Sequence, residues 1–224
     1  SRRAIPGIRR RTGYGWPMSD AGYGDFEFER KFFVDGLPAV AASDPAPGLI
    51  VQAYLFGVDG YAVRIRVQGS APATVDAPVP ALLDALGDDA VGTMTAKGPA
   101  VGGTRYEAER ELDAQVASQI VRRADDVVVK VRYSVWLGED GWVLDRFLGG
   151  NAPLVLAEVE RGGPVIDLAI PDFCITEVSE DDRFRNEYLA KHAFGAWAGQ
   201  YRRDLDRRGP AFIGHLGSNR FAGS

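Results

Sequence analysis

Charge recurs at every second residue along most of the apolar stretches of this chain, and neighbouring charges two apart mostly share a sign. Glu27, Glu29 and Lys31 alternate with Phe26, Phe28, Arg30 and Phe32. Arg64 and Arg66 do the same in 63–67, and Lys97 ends the following stretch. Glu107 and Glu109, Lys130 and Arg132, then Asp145, then Glu158 and Glu160 continue the series. Side chains alternate faces along a strand, so each pair shares one face and the pattern is that of β-structure. For any single strand, a sheet with one dry and one wet face explains it. The set as a whole is less well explained that way. A solvent face mixes in Thr, Ser, Gln and Asn and pairs opposite signs across strands. If the sheet closes, these charges point into a barrel interior, where unpaired charge is costly. A polyanion with a divalent cation would satisfy both signs. Arg and Lys pairs suit phosphate oxygens, and clustered carboxylates suit Mg2+ or Mn2+.

Strands are predicted over 25–34, 49–56, 61–67, 91–97, 104–112, 127–137, 142–147 and 153–160. Asp59-Gly60 and Glu139-Asp140-Gly141 supply tight turns between neighbours. Helical spacing appears at 80–86 and at 113–124, where Leu112, Val116, Ile120 and Val121 share a face. It returns at 181–191 and 194–207. The expected class is mostly β (α+β), one domain over 25–207 with an insertion at 69–90 and a helical tail from 180. Residues 208–224 read as frayed. Residues 1–24 read as a flexible arm, or a vector-derived leader ahead of Met18; five arginines and no acid within 1–17 leave open that the arm docks on an anionic ligand or partner.

The net charge of −5 is therefore more acidic outside the arm, which argues against a nucleic-acid partner. No stretch approaches the roughly 20 apolar residues of a membrane helix. Cys174 stands alone, so there is no intrachain disulfide and no CxxC zinc site, and with no signal peptide in view a cytoplasmic location is expected. Two histidines, His192 and His215, make a poor metal cage. There is no Gly-x-Ser-x-Gly elbow and no P-loop.

From Phe26 to Lys191 the chain resembles the CYTH superfamily, the triphosphate tunnel metalloenzymes. Glu27-x-Glu29-x-Lys31 matches the ExExK signature, Arg64-x-Arg66 the RxR strand, and Met94-Thr-Ala-Lys97-Gly98 and Arg105–Glu111 the next two. Gln52–Leu55, Lys130-x-Arg132, Asp145 and Leu154–Glu160 follow the same order, and 182–189 resembles the closing segment. The resemblance implies an eight-stranded antiparallel β-barrel tunnel with flanking helices and a C-terminal helical tail. It implies hydrolysis of inorganic triphosphate, most like the short bacterial enzymes, with Mg2+ or Mn2+. Thiamine triphosphatase and class IV-type adenylyl cyclase are the alternatives it carries, and a non-catalytic polyphosphate-binding module is a further one.

On that footing Glu27, Glu29, Glu107, Glu109, Asp145, Glu158 and Glu160 supply the carboxylate shell of the metal, directly or through water. The resemblance favours Glu29, Glu158 and Glu160 as direct ligands. Arg64, Arg66, Lys97, Arg105, Lys130 and Arg132 hold the phosphate chain, unless Arg105 is a loop-edge cation. No Ser, Cys or His is placed for a covalent intermediate, so water attacks directly. Lys31 is the expected base, crowded by cations and lowered in pKa, with Tyr54 on a neighbouring strand as its partner and Lys130 as its rival. The insertion at 69–90 is expected to reach a tunnel mouth.

Overall fold

Eight strands pair edge to edge until the last returns to the first. In the computed structural model, which describes residues 26–101 and 104–221, they are β1 (Phe26–Val34), β2 (Gly48–Val58), β3 (Tyr61–Ser70), β4 (Val91–Val101), β5 (Thr104–Leu112), β6 (Val127–Leu137), β7 (Asp140–Phe147) and β8 (Val155–Arg161). Their spatial order is β1-β5-β4-β3-β2-β6-β7-β8, and β8 pairs back onto β1. Every pairing in this ring is antiparallel. The expected eight-stranded barrel is the one that forms. Its seam is uneven. β1 meets β8 from Phe28 to Val34 but meets β5 only from Phe26 to Phe28. Further along, that edge of β1 is taken by a strand the sequence pattern did not reveal, β10 (Cys174–Glu177), itself preceded by the two-residue β9 (Ala169–Ile170).

Away from one end, the apolar residues of the ring face outward, not inward. Leu49, Val51, Ala53, Ile65, Val67 and Val131 form one buried cluster under α1 (Val79–Leu86) and α2 (Ala114–Val121). Those helices bring Leu82, Leu83, Leu86, Ala117 and Val121 to it. Asp113 caps α2 by accepting the Val116 N–H at 2.9 Å, and Gly87, at φ +59°, closes α1. Gly92 lets α2 approach: a Cβ there would stand 2.7 Å from that of Ala117. Val116, expected on the apolar face of α2, is exposed; Ala117 fills that place. The 69–90 insertion thus sheathes the outer wall rather than a mouth. None of its residues lines the central cavity.

A second outer cluster lies over β1, β7 and β8, with Trp142 against Phe32 at 5.6 Å between ring centroids. A third closes one end of the barrel, where β1 and β7 finish and β3 and β6 begin. There Phe33, Phe147, Phe184, Phe194 and Tyr201 pack beneath α3 (Asn186–Lys191) and α4 (Ala198–Arg208). This is the expected helical tail.

Residues 209–221, expected to be frayed, are built into the structure. The Glu177 N–H donates to Ala211 O at 2.9 Å, and Thr176 and Ala211 exchange two further bonds. Chain 220–221 forms β11 (Arg220–Phe221), parallel to β9. The Gly, Pro and Ser content of 209–218 reads as loop, but its partners lie far away in sequence. The arm at 1–24 lies outside the described residues. Among those described, no helix is long and apolar enough to cross a membrane.

Candidate active site

With the apolar face turned outward, alternate residues of every strand but β7 converge on a cavity of about 1060 Å³. Arg64 and Arg66 enter it from β3, Lys97 from β4, Glu107 and Glu109 from β5, Lys130 and Arg132 from β6, and Glu158 and Glu160 from β8. Lys31 and Glu29 come from β1 and Tyr54 from β2. Twelve of the fifteen expected site residues therefore share one space with Arg105 at its edge. Glu27 holds its place in β1 opposite Arg105, but its side chain lies outside the described residues.

The single-sign strands neutralise one another across the ring. Lys31 Nζ sits 3.1 Å from Glu158 and 3.6 Å from Glu29. Arg64 Nη2 donates to Thr95 Oγ1 at 2.8 Å and reaches Glu109 at 3.2 Å and Glu107 at 3.3 Å. Lys97 pairs with Glu107. Asp145 is wholly enclosed: Arg132 donates Nε and Nη2 to its two oxygens at 2.7 and 2.6 Å, and Lys130 Nζ lies 2.5 Å away. Expected in the metal shell, Asp145 instead aligns two cations, with no surface left for a metal. Burial would raise its pKa, and Arg132 and Lys130 outweigh that and hold it well below the usual carboxylate range.

Two expectations about proton transfer fail on the geometry. Burial alone would lower Lys31, but Glu158 and Glu29 outweigh it and push its pKa above that of an ordinary lysine. These acids favour its charged form, the reverse of the lowered pKa expected of it. Tyr54 is not on a neighbouring strand, because β2 pairs with β3 and β6. Its hydroxyl accepts from Gln52 Nε2 at 2.9 Å, and burial pushes its pKa up. Lys130, the rival, behaves as Lys31 was expected to. Burial lowers it to about 8 against the pull of Asp145, helped by the Arg132 cation.

Arg66 differs from the other cations. Among the described residues nothing hydrogen-bonds or ion-pairs with its guanidinium, and its Nε is buried without a partner. Burial and then the neighbouring Arg64 and Arg132 cations lower its pKa to about 10, with Glu109 opposing.

Arg105 is committed elsewhere. Its Nε and Nη2 donate to the carbonyls of Gly98 at 2.6 Å and Gly60 at 2.9 Å, and Nη2 meets Glu187 at 3.0 Å. It fastens α3 to the barrel. Glu187 belongs to the cavity lining and was not singled out by its position in the sequence, since nothing periodic marks a lone acid at a helix start.

The carboxylates that fit a divalent cation are on β1 and β8. Glu29 stands directly opposite Glu160 in the antiparallel register, with Glu158 beside Lys31. Like charges directly opposed on one face are unfavourable unless a cation lies between them. The donors are hard oxygens, as Mg2+ and Mn2+ require. Among the described residues no three His, Cys, Asp or Glu already converge as a metal cage. Mg2+ keeps several waters and binds through one or two carboxylates plus substrate phosphates, so a preformed cage is not required.

A curated inorganic triphosphatase from Acetivibrio thermocellus is 30% identical over 171 residues, covering 75% of this chain and 95% of its own. Among solved structures, the crystal structure of another inorganic triphosphatase is 27% identical, covers 73% of this chain and 93% of its own, and superposes with a TM-score of 0.48. A conserved hypothetical protein from Pyrococcus furiosus is 16% identical, covers 60% of this chain and 78% of its own, and has a TM-score of 0.40. No family model matches the chain.

Proposed function

Because the chain belongs to the bacterial inorganic triphosphatases of the CYTH, or triphosphate tunnel, superfamily, we propose that it hydrolyses a phosphoanhydride bond of a short triphosphate, inorganic triphosphate foremost, inside the barrel with Mg2+ or Mn2+ bound. The observation that carries this reading is Arg66. A guanidinium that faces a cavity beside two other arginines, with no acid of its own, is completed by an anion with several oxygens. The relative's named activity supplies the class of anion. Cys174, buried and reduced on the outer wall, supports a cytoplasmic setting.

In this reading Arg66, Arg64 and Arg132 bind the phosphate oxygens, and Arg64 can exchange Glu107 and Glu109 for them. Asp145 keeps Lys130 and Arg132 pointed at the chain. Glu29, Glu158 and Glu160 would hold the cation, which when bound neutralises charge on the phosphate oxygens. Lys31 balances the acids of that group. Water attacks the terminal phosphorus in line, and the fixed cations stabilise the charge that develops on the equatorial oxygens. Lys130, poised to titrate near the working pH, accepts the water's proton. Ser179 and Cys174 are poor candidates for a covalent route: Ser179 Oγ is held by Glu177 and the Lys31 N–H, and burial pushes the Cys174 thiol up. A purely binding module would have no use for the opposed acids of β1 and β8.

The test is phosphate release from inorganic triphosphate, thiamine triphosphate and ATP, with Mg2+ or Mn2+ and again with EDTA. Inorganic triphosphate is expected to be turned over fastest, and chelation to abolish turnover. Undiminished activity in EDTA would end the metal assignment, and cyclic AMP as the product of ATP would replace hydrolysis by cyclisation.

A further inference from the structure

We propose that the C-terminal segment 211–219 decides substrate specificity: it is a fixed rim beside the cavity that admits a bare phosphate chain and turns away one esterified to a bulky organic group. The proposal rests on the reading above that the cavity takes a triphosphate.

The rim is built rather than draped. Arg30, on the outer face of β1 and only 1% exposed, donates Nε and Nη2 to the Glu177 carboxylate at 2.8 and 2.6 Å. Its Nη1 donates to Asn219 Oδ1 at 2.8 Å. The same Glu177 accepts the Ile213 N–H at 2.8 Å, and Asn219 Nδ2 donates to Ile213 O at 2.9 Å. Asp167 N–H donates to Leu216 O at 3.1 Å, and the Asp167 carboxylate accepts the Ser218 N–H at 2.7 Å. Moving the segment would take from this buried pair the Asn219 acceptor and the Ile213 N–H donor, leaving polar groups of both charges unsatisfied.

Three of its side chains, Ile213, His215 and Leu216, line the same cavity as Glu29 and Glu160. The opposite end is filled by Phe33, Phe184, Phe194 and Tyr201 beneath the tail helices. An organic group attached to a chain seated on Arg64, Arg66 and Arg132 cannot leave through that packing. It must pass Glu29 and Glu160 and meet the rim. Ile213 and Leu216 offer no partner to hydroxyls or ring nitrogens, so a sugar or base lodged there would give up water without compensation. A free terminal phosphate ends before it.

The experiment compares the wild-type chain with the triple variant Ile213→Ala, His215→Ala, Leu216→Ala. Binding of inorganic triphosphate and of ATP is titrated calorimetrically with Mg2+, and kcat/KM is measured for both. The preference for inorganic triphosphate over ATP should fall by roughly tenfold or more in the variant, with binding of inorganic triphosphate unchanged. His215→Ala alone, at an exposed position that folding does not depend on, should move the ratio the same way by less. Wild-type protein that binds ATP as tightly as inorganic triphosphate, or a ratio unmoved in both variants, overturns the rim. Wild-type protein that does not bind inorganic triphosphate overturns the reading of the cavity itself.

Discussion

On the wall formed by β6, β7, β8 and β1, Asp145 is enclosed by Lys130 and Arg132 with 0% of its surface exposed. On the wall formed by β3, β4 and β5, Glu109 accepts from Arg64 and Thr95 yet keeps 44% of its side chain exposed. Both walls set a carboxylate against a cation, and desolvation separates them. The first cannot rearrange without leaving charge buried and unpaired. The second can trade Glu109 for phosphate oxygens, since water reaches that carboxylate. One wall therefore fixes the geometry of the site and the other responds to what enters, with Arg66 on the responding side.

The sharpest way to break that contrast is to neutralise one acid on each wall. Asp145→Asn removes the anion from two buried cations and should cost about 3–5 kcal/mol of stability. Glu109→Gln should cost about 0–1 kcal/mol, as for an exposed pair. Urea unfolding of both variants measures the difference, and equal costs would mean that the two walls are energetically alike. Next in size, Arg66→Ala should lower kcat/KM by roughly 10²–10³-fold, the range for losing one donor to developing charge. Its stability should hold or rise, because no acid loses a partner and repulsion with Arg64 and Arg132 is relieved. A clear drop in stability would show that Arg66 is held by the fold.

The smallest effect is a change of slope with pH. With Lys130 at about 8, kcat/KM should rise as pH passes through that value, because the base form is the deprotonated one. Lys130→Arg should remove this limb, since arginine stays charged. Lys31→Arg should leave it in place, because Glu158 and Glu29 already keep Lys31 protonated. A rate that falls through pH about 8 in the wild type would make Lys130 an electrostatic group instead.

The inward faces were readable from residues such as Glu29-x-Lys31 and Arg64-x-Arg66, because period two is a property of one strand. What lies opposite was not. The sign of the Lys31 shift depends on Glu158, which register brings across from β8, and Tyr54 was put beside Lys31 because strand order is not encoded in either strand. Asp145 looked like any other acid until its two cations closed over it. The rim at 211–219 was hidden for a related reason. Its composition is that of a loop, and its order comes from Arg30 and Glu177, far off in the chain.

A barrel lined with charge has no interior to collapse around. Two apolar patches lie outside the ring and a third closes one end, so collapse has to begin at the sheath and the plug rather than around the charged middle. The α1–α2 sheath gathers β2, β3 and β4, which are near in sequence, while β1 meets β8 only after most of the domain has been drawn together. That last meeting sets Glu29 opposite Glu160 and Lys31 opposite Glu158. The chemistry therefore comes into being at the moment of ring closure. In refolding, helical circular dichroism should recover before phosphate release does, and no partly folded species should turn over substrate.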